Sequence, residues 1–187
     1  PNITSEILVE TRKAEQLQAA EVLGLKEVVF LGYEDSILEP SIALRKDITV
    51  QIRKHKPDIL ICMYPMRKLT GNGYIGHPDH IASGEAAMAA VFPTARDRLT
   101  FPDLLEQGLE PHKVKELWVM GSELAEEYVD VTETIEIAIQ ALQKHASQIQ
   151  NMEDVANHMR EWRTVTCAFI HRFSIIYIYS SIIGRQF

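Results

Sequence analysis

The feature that most constrains the fold is an alternation of helix-like segments with short, continuously apolar runs. Residues from about Ser5 to Leu23 are good helix formers with an apolar stripe at helical spacing, made of Ala14, Leu17, Ala20 and Leu23. Gly24 follows at the position where such a helix would end. Val28–Leu31 is then a run of four apolar residues, typical of a strand that is buried on both faces.

The same order recurs further along the chain. A predicted helix over residues 41–55 precedes an apolar strand over 58–63, and a helix over 78–91 precedes a third strand over 115–120. A last helix is predicted over 132–149. Strands of four to six residues that alternate with helices need crossover connections, which give a mostly parallel sheet with helices on both faces. We therefore predict an α/β fold in three layers.

Two polar loops follow the first two predicted strands, over residues 32–36 and 64–76. In open parallel sheets, ligand sites form in the loops beyond the carboxyl ends of the strands. These loops are therefore the expected location of a functional site.

The last 24 residues, 164–187, differ in composition from the rest of the chain. They are rich in β-branched and aromatic residues and contain no Asp or Glu, but His171 and Arg172 interrupt the apolar run. A membrane span is not expected there, because charges are rare in mid-membrane, and one or two added strands are favoured over it. An altered reading frame would also explain the change. We predict an α/β domain over 1–163 and an atypical apolar tail over 164–187.

Composition and charge exclude some classes of partner and point to a cellular compartment. The net charge is −7 and no basic run of five or more residues occurs, so nucleic acid is not expected as a partner. Two cysteines, Cys62 and Cys167, cannot form a disulfide framework, and no signal peptide is visible, so a cytoplasmic location is predicted. Because residue 1 is Pro, we expect a processed start or a fragment.

The sharpest local motif is His77-Pro78-Asp79-His80. Proline fits the first position of a helix, so His77 is expected at the cap and His80 one turn inside, on the same face. Asp79 falls in the first turn, where the helix dipole favours a carboxylate and where it can orient an imidazole. The residues alone leave a catalytic or metal-binding role and a structural role open. The glycines before the motif, Gly71, Gly73 and Gly76, favour the functional one, because they let a ligand approach the backbone.

With its surroundings, this motif resembles a known family. GNGYIGHPDH followed by IASGEAAMAA is similar to the second signature of the PIG-L/LmbE-like zinc-dependent de-N-acetylases. Four further segments resemble that family in the same order: TRKAEQLQAAEVLGLKEVVFLGYEDS, LRKDITVQIRKHKPDILIC, LEPHKVKELWV and ALQKHASQ. The resemblance covers about residues 10 to 150. It implies a Rossmann-like three-layer fold and a hydrolase that uses one Zn²⁺ to remove the acetyl group from an N-acetylglucosamine-type sugar conjugate.

The resemblance also implies roles for individual residues. His80 would be a zinc ligand, and His77 would protonate the leaving amine or stabilise the oxyanion, oriented by Asp79. Three further residues would hold or approach the substrate: Arg12, Asp35 and Tyr74. His145 matches a family position, but we expect a structural role for it. We expect Cys62 to be a core residue. Cys167 has no Cys-His-Asn pattern around it, so we do not expect it to be a nucleophile.

One departure from the family pattern is large. The family's Ala-His-Pro-Asp-Asp-Glu motif supplies two zinc ligands and the general base, yet the only His-Pro in this chain is at His77. We therefore expect the first strand to be missing from the sheet, and the chain as printed to bind zinc poorly and to be inactive. The alternative is a non-catalytic carbohydrate-binding relative that lost its metal site. A dinucleotide-binding dehydrogenase is disfavoured because no G-x-G-x-x-G follows a strand. The oligomeric state stays open, with a homo-oligomer as one option.

Overall fold

The computed structural model describes residues 4–67, 75–121 and 129–166. In chain order its elements are α1 (Ser5–Val22), α2 (Ile42–His55), β1 (Ile59–Met63), α3 (Pro78–Ala89), a kinked helical segment (Ala90–Thr94), α4 (Asp103–Glu106), β2 (Glu116–Met120), α5 (Ile135–Leu142) and α6 (Met152–Thr166). The chain divides into two compact units. The first comprises Pro1–Asp35 with Glu123–Phe187, and the second comprises Ser36–Ser122.

The second unit contains a parallel pair of strands. β1 and β2 pair in register from Ile59 opposite Glu116 to Met63 opposite Met120. α3 lies in the connection between them, as a parallel pair requires. The α/β class and the parallel sheet are therefore confirmed. The centre of β1 is buried as its apolar run predicts, and burial raises the pKa of the Cys62 thiol to about 12.

α2 begins and ends where its sequence predicts. The hydroxyl of Ser41 accepts a hydrogen bond from the Leu44 amide at 3.2 Å, which caps the first turn. Ile48 and Ile52 turn towards the core with Leu44. The helix stops at Lys56, which adopts a left-handed conformation directly before Pro57.

A buried arginine organises the chain after α3. Arg53 of α2 is 1% exposed, and its guanidinium donates to backbone carbonyls on a surrounding segment: those of Thr94, Ala95, Asp97, Thr100 and Leu109. The shortest of these bonds, to the Asp97 carbonyl, is 2.7 Å long. The hydroxyls of Thr49 and Thr94 are 2.7 Å apart beside it. A buried cation whose three nitrogens all donate to carbonyls thus fastens an irregular segment to α2.

A glycine sets the distance between α3 and β1. A Cβ built on Gly84 would lie 3.1 Å from the carbonyl carbon of Met63 and closer than 3.0 Å to its oxygen. Only a residue without a side chain lets the two backbones come this close. This contact holds α3 at the carboxyl end of β1, where the sequence predicts a site.

The first unit is built on α1, whose buried face differs from the predicted one. The side chains that it buries are Arg12, Glu15, Gln16, Ala19 and Ala20, whereas Leu17 of the predicted apolar stripe is 52% exposed. Ala20 is buried as predicted, but the rest of the buried face differs, because polar side chains with hydrogen-bond partners, such as Glu15, can occupy it. The predicted end is confirmed: Gly24 has a φ of 67° and its amide bonds to the Glu21 carbonyl.

Two sequence predictions for the first unit are wrong in part. Val28–Leu31 does not form a strand, and the sheet of the described residues consists of β1 and β2 alone. An apolar run becomes a strand only where a neighbouring strand takes its hydrogen bonds. The helix predicted over 132–149 is shorter, Ile135–Leu142, and is followed by turns.

The C-terminal tail lies mostly outside the described residues. The predicted boundary at 163/164 falls within α6, and residues 167–187 are not described, so the tail and its expected strands stay predictions. Within the described ranges, no helix combines the length and the apolar character that crossing a membrane requires.

Candidate active site

The predicted histidine motif forms the start of α3. His77 is the N-cap residue with extended backbone angles, and Pro78 takes the first helical position, as predicted. Nδ1 of His77 accepts a hydrogen bond from the Asp79 amide at 3.2 Å. Because Nδ1 acts as the acceptor, the proton of the neutral ring belongs on Nε2. The cap therefore fixes both the orientation and the tautomer of His77.

Asp79 connects α3 to the loop that begins the second unit. Its carboxylate is 1% exposed and accepts the Ser36 amide at 2.6 Å and the Leu38 amide at 3.3 Å. The nearest distance from this carboxylate to Nδ1 of His77 is 3.8 Å, longer than a hydrogen bond. Asp79 thus orients His77 through its backbone amide, while its side chain holds the 36–38 loop.

His80 lies beside His77, as its spacing of three residues predicts. The two ring centroids are 5.5 Å apart, the planes are inclined by 42°, and both residues are half-buried. Ser83 supports this turn, because its hydroxyl lies 2.7 Å from the Asp79 carbonyl and 3.0 Å from the His80 carbonyl. The first turn of α3 therefore presents two imidazoles from a braced backbone.

The other predicted site residues have different locations. Arg12 lies on the buried face of α1 in the first unit. Asp35 is the last residue of that unit and directly precedes Ser36, whose amide binds Asp79. Tyr74 lies outside the described residues. Of the predicted residues, the second unit brings together His77, Asp79 and His80.

Two residues of the site, Ser36 and Leu38, were not predicted. The loop over 32–36 was expected near the site, but Ser36 and Leu38 contribute backbone amides. An amide is present in every residue except proline, so the sequence carries no signal for which amides bind Asp79.

His145 neighbours a buried carboxylate in the first unit. Glu15 of α1 accepts hydrogen bonds from the Ser147 backbone amide at 2.6 Å, the Ser147 hydroxyl at 2.8 Å and the Gln148 side-chain amide at 3.4 Å. Burial alone would raise the pKa of Glu15, but these hydrogen bonds and His145 together hold it below its ordinary value. Nδ1 of His145 lies 3.2 Å from the Gln148 side-chain nitrogen. This arrangement is consistent with a structural role for His145, which stays a prediction.

The donor types at the start of α3 suit a metal ion in part. Imidazole and carboxylate groups are the ligands of catalytic zinc, which takes three of them from the protein and keeps one position for water. In the second unit, Nδ1 of His77 accepts an amide, and the Asp79 carboxylate accepts two while its oxygens keep further lone pairs. The imidazoles of His77 and His80 and this carboxylate are of the types that hold zinc.

Comparison with known proteins finds one matching family model and several similar proteins. Residues 2–91 match the family model described as PIG-L: GlcNAc-PI de-N-acetylase. A diacetylchitobiose deacetylase of Thermococcus kodakarensis is 29% identical over 153 residues, which cover 82% of this chain and 54% of that protein. A "Probable N-acetyl-alpha-D-glucosaminyl L-malate deacetylase 2" of Bacillus anthracis is 29% identical over 178 residues, covering 87% and 70%.

Solved structures agree with the fold. An N,N'-diacetylchitobiose deacetylase from Pyrococcus horikoshii, complexed with its inhibitor MPG, superposes with a TM-score of 0.74 at 26% identity, covering 90% of this chain and 61% of that one. A conserved protein from Thermus thermophilus shares the fold, with a TM-score of 0.66 at 20% identity and 90% and 76% coverage.

The chain thus has an α/β fold of the Rossmann-like type that the Pyrococcus deacetylase structure shows. Residues 2–91 match the PIG-L family model, and the resemblance seen in the sequence is confirmed. The chain spans about half the length of the Thermococcus relative.

Proposed function

We propose that this protein serves in the zinc-dependent hydrolysis of the acetamide of an N-acetylglucosamine-type conjugate. The observation that carries the proposal is the capped geometry of His77, whose Nδ1 accepts the Asp79 amide and whose Nε2 is therefore the protonated nitrogen. The names of the relatives, which are deacetylases of N-acetylated sugars, support the substrate class.

In this reaction the oxygen of a water molecule bonds to the acetyl carbon, and the bond from that carbon to nitrogen breaks. The products are acetate and a free amine. With Nδ1 accepting the Asp79 amide, the neutral His77 ring donates its Nε2–H as a hydrogen bond that stabilises the developing oxyanion. The proton that the departing nitrogen needs is the one that the attacking water gives up, and a carboxylate base would carry it.

Zinc, when bound, supplies a Lewis acid that polarises the carbonyl and lowers the pKa of its water. We assign His80 as one of its ligands. The printed sequence contains no second His-Pro and no His-Pro-Asp-Asp, which would provide two more ligands and the base. We propose that these 187 residues alone bind zinc weakly and hydrolyse the substrate slowly or not at all.

Three residues are proposed to hold the substrate: Arg12, Asp35 and Tyr74. Arginine donates several hydrogen bonds, and a carboxylate accepts hydroxyl groups, so both side-chain types suit a sugar. We also propose a cytoplasmic location and a small N-acetylated sugar conjugate as the partner.

Zinc content and acetate release, measured on single-residue variants of the full chain, test these roles. We expect H80A to lower the zinc bound per chain, whereas H77A keeps it and removes any residual acetate release from N,N'-diacetylchitobiose. H158A is the control, because His158 is an exposed histidine of α6. Unchanged zinc binding in H80A would refute the ligand assignment, and zinc loss in H77A would mean that the two roles are reversed.

A non-catalytic carbohydrate-binding protein is the alternative, favoured by the hydrogen bonds that already engage Asp79 and Nδ1 of His77. Sugar binding that is independent of zinc, without acetate release even at saturating zinc, would select this alternative. Stoichiometric zinc and rapid turnover by the printed chain would refute the view that its site is incomplete.

A further inference from the structure

A cleft of about 250 Å³ runs along one flank of α3 in the second unit. Residues spaced three or four positions apart share one side of a helix, and four such residues form its α3 wall: Pro78, Ile81, Ala82 and Glu85. The remaining walls come from two segments, with Leu38 and Pro40 before α2, and Pro65 and Arg67 after β1. None of the roles assigned above uses this cleft.

The walls of the cleft are held in place by contacts with α3. The Leu38 amide donates to the buried carboxylate of Asp79 at 3.3 Å, which ties the loop before α2 to the helix. A Cβ built on Gly84 would lie 3.6 Å from Cα of Pro65, so the segment after β1 packs directly on the helix. Proline rings fix the backbone at three points of the lining. A ligand would therefore meet a preformed cleft, and little binding energy would be lost in ordering it.

Two charged side chains of opposite sign line the cleft, Arg67 and Glu85. Both are exposed, and within the part of the chain that the structure describes neither forms a hydrogen bond or an ion pair. The other lining side chains are those of proline, leucine, isoleucine and alanine, which carry no polar group. Polar recognition by the side chains of this cleft therefore depends on one cation and one anion.

This lining favours a zwitterion that carries an apolar group. A purely anionic ligand would be attracted by Arg67 and repelled by Glu85, and a purely cationic ligand would meet the reverse. An amino acid carries both charges on one end, so its carboxylate can pair with Arg67 while its ammonium group pairs with Glu85. An apolar side chain can then pack against Leu38 and Ile81.

The size of the cleft agrees with a small ligand. Its volume lies below the roughly 300 to 1,000 Å³ typical of sites for drug-sized molecules. A molecule as small as leucine suits this space better than a longer group does.

We propose that this cleft binds a free amino acid with an apolar side chain, through one ion pair to Arg67 and one to Glu85. The site adds to the proposed function and does not depend on it, since it uses neither His77 nor His80 and needs no zinc.

Ligand-observed NMR titration of the full chain with L-leucine as the probe tests the proposal. No zinc is added, because an amino acid can itself ligate zinc through nitrogen and oxygen. Three analogues each lack one recognised group: L-leucinamide has no carboxylate, N-acetyl-L-leucine has no ammonium group, and glycine has no apolar side chain. Because exposed ion pairs are weak, we expect L-leucine to bind about three- to five-fold more tightly than either of the first two. It should bind at least about five-fold more tightly than glycine, which buries less apolar surface.

Substitutions at the two charges show whether the amino acid lies in the cleft. R67A should weaken the binding of L-leucine about three- to five-fold and should not weaken that of L-leucinamide, which has no carboxylate for Arg67 to pair with. E85A should likewise weaken the binding of L-leucine but not that of N-acetyl-L-leucine. E106A is the matched control, since Glu106 is an exposed carboxylate of α4 outside the cleft. All three variants alter exposed side chains, and an unchanged unfolding midpoint would show that they fold.

Equal affinities for L-leucine and its analogues would overturn the proposal, and so would the absence of detectable L-leucine binding. Binding of L-leucine that neither R67A nor E85A weakens would also overturn it, because the amino acid would then lie elsewhere. Each of these results leaves the proposed function standing, since that function is judged by zinc content and acetate release.

Discussion

Replacing Gly84 by alanine probes how α3 is held against β1. The added Cβ would meet the backbone of Met63, with its carbonyl carbon at 3.1 Å and its oxygen closer than 3.0 Å. A backbone carbonyl cannot rotate away as the end of a flexible side chain can. In G84A the helix itself must therefore move outwards by several tenths of an ångström or more.

The magnitude follows from two opposing effects. Forcing extra volume into a well-packed contact costs about 1 to 3 kcal/mol, and a rigid backbone neighbour points to the upper part of that range. Alanine in a helix interior gains about 1 kcal/mol over glycine. We expect G84A to lower the free energy of unfolding by about 1 to 2 kcal/mol.

Urea unfolding and amide hydrogen exchange measure the two consequences. The loss of stability should appear as a lower unfolding midpoint with an unchanged slope. As α3 moves, the bonds from the Ser36 and Leu38 amides to Asp79 should weaken, so these two amides should exchange faster. G76A is the control, because no described atom lies within 4 Å of the Cβ that it adds.

The reasoning fails if G84A is as stable as the wild type and both amides keep their protection. A large loss of stability in G76A would also count against it, because the effect would then not come from the contact with Met63. A result in which G84A is stabilised by about 1 kcal/mol would show that helix propensity alone governs this position.

Three further predictions concern buried polar groups. D79N should lower the free energy of unfolding in urea by about 1 to 3 kcal/mol. The carboxylate accepts two backbone amides, and in the variant the side-chain NH₂ group, itself a donor, would face one of them. A cost below about 0.5 kcal/mol would refute the role of Asp79 in holding the 36–38 loop. R53M should lower the free energy of unfolding by about 3 to 4 kcal/mol, since it leaves several buried carbonyls unpaired. K113M, which changes an exposed lysine, is the control and should cost little in the same assay. Equal costs would refute this role of Arg53. The pKa of Glu15 is below its ordinary value of about 4.3 in the folded state, so its contribution to stability is present above that pH and is lost as the pH falls through the folded pKa. E15Q should therefore show a shallower loss of stability between about pH 5 and pH 3 than the wild type, and parallel pH profiles would contradict this.

The sequence by itself determined the elements whose signals are local. Pro78 after His77 predicted the start of α3, and Gly24 predicted the end of α1, because caps and turns depend on residues within about four positions. The apolar run of β1 predicted a buried strand. The ordered family segments predicted the resemblance to the PIG-L family, which the match over residues 2–91 confirms.

Tertiary structure decided which groups meet across long stretches of chain. The Asp79 carboxylate lies 3.8 Å from Nδ1 of His77, two residues away, and also accepts the Ser36 amide, 43 residues away. The run Val28–Leu31 reads as a strand, yet strand formation depends on a neighbour that the run itself does not specify. In the sequence, Gly84 is only a poor helix former, and the close contact with the Met63 carbonyl that requires a glycine there is visible only in the structure. A backbone amide or carbonyl carries no residue-specific signal, so such contacts emerge only when packing brings the segments together.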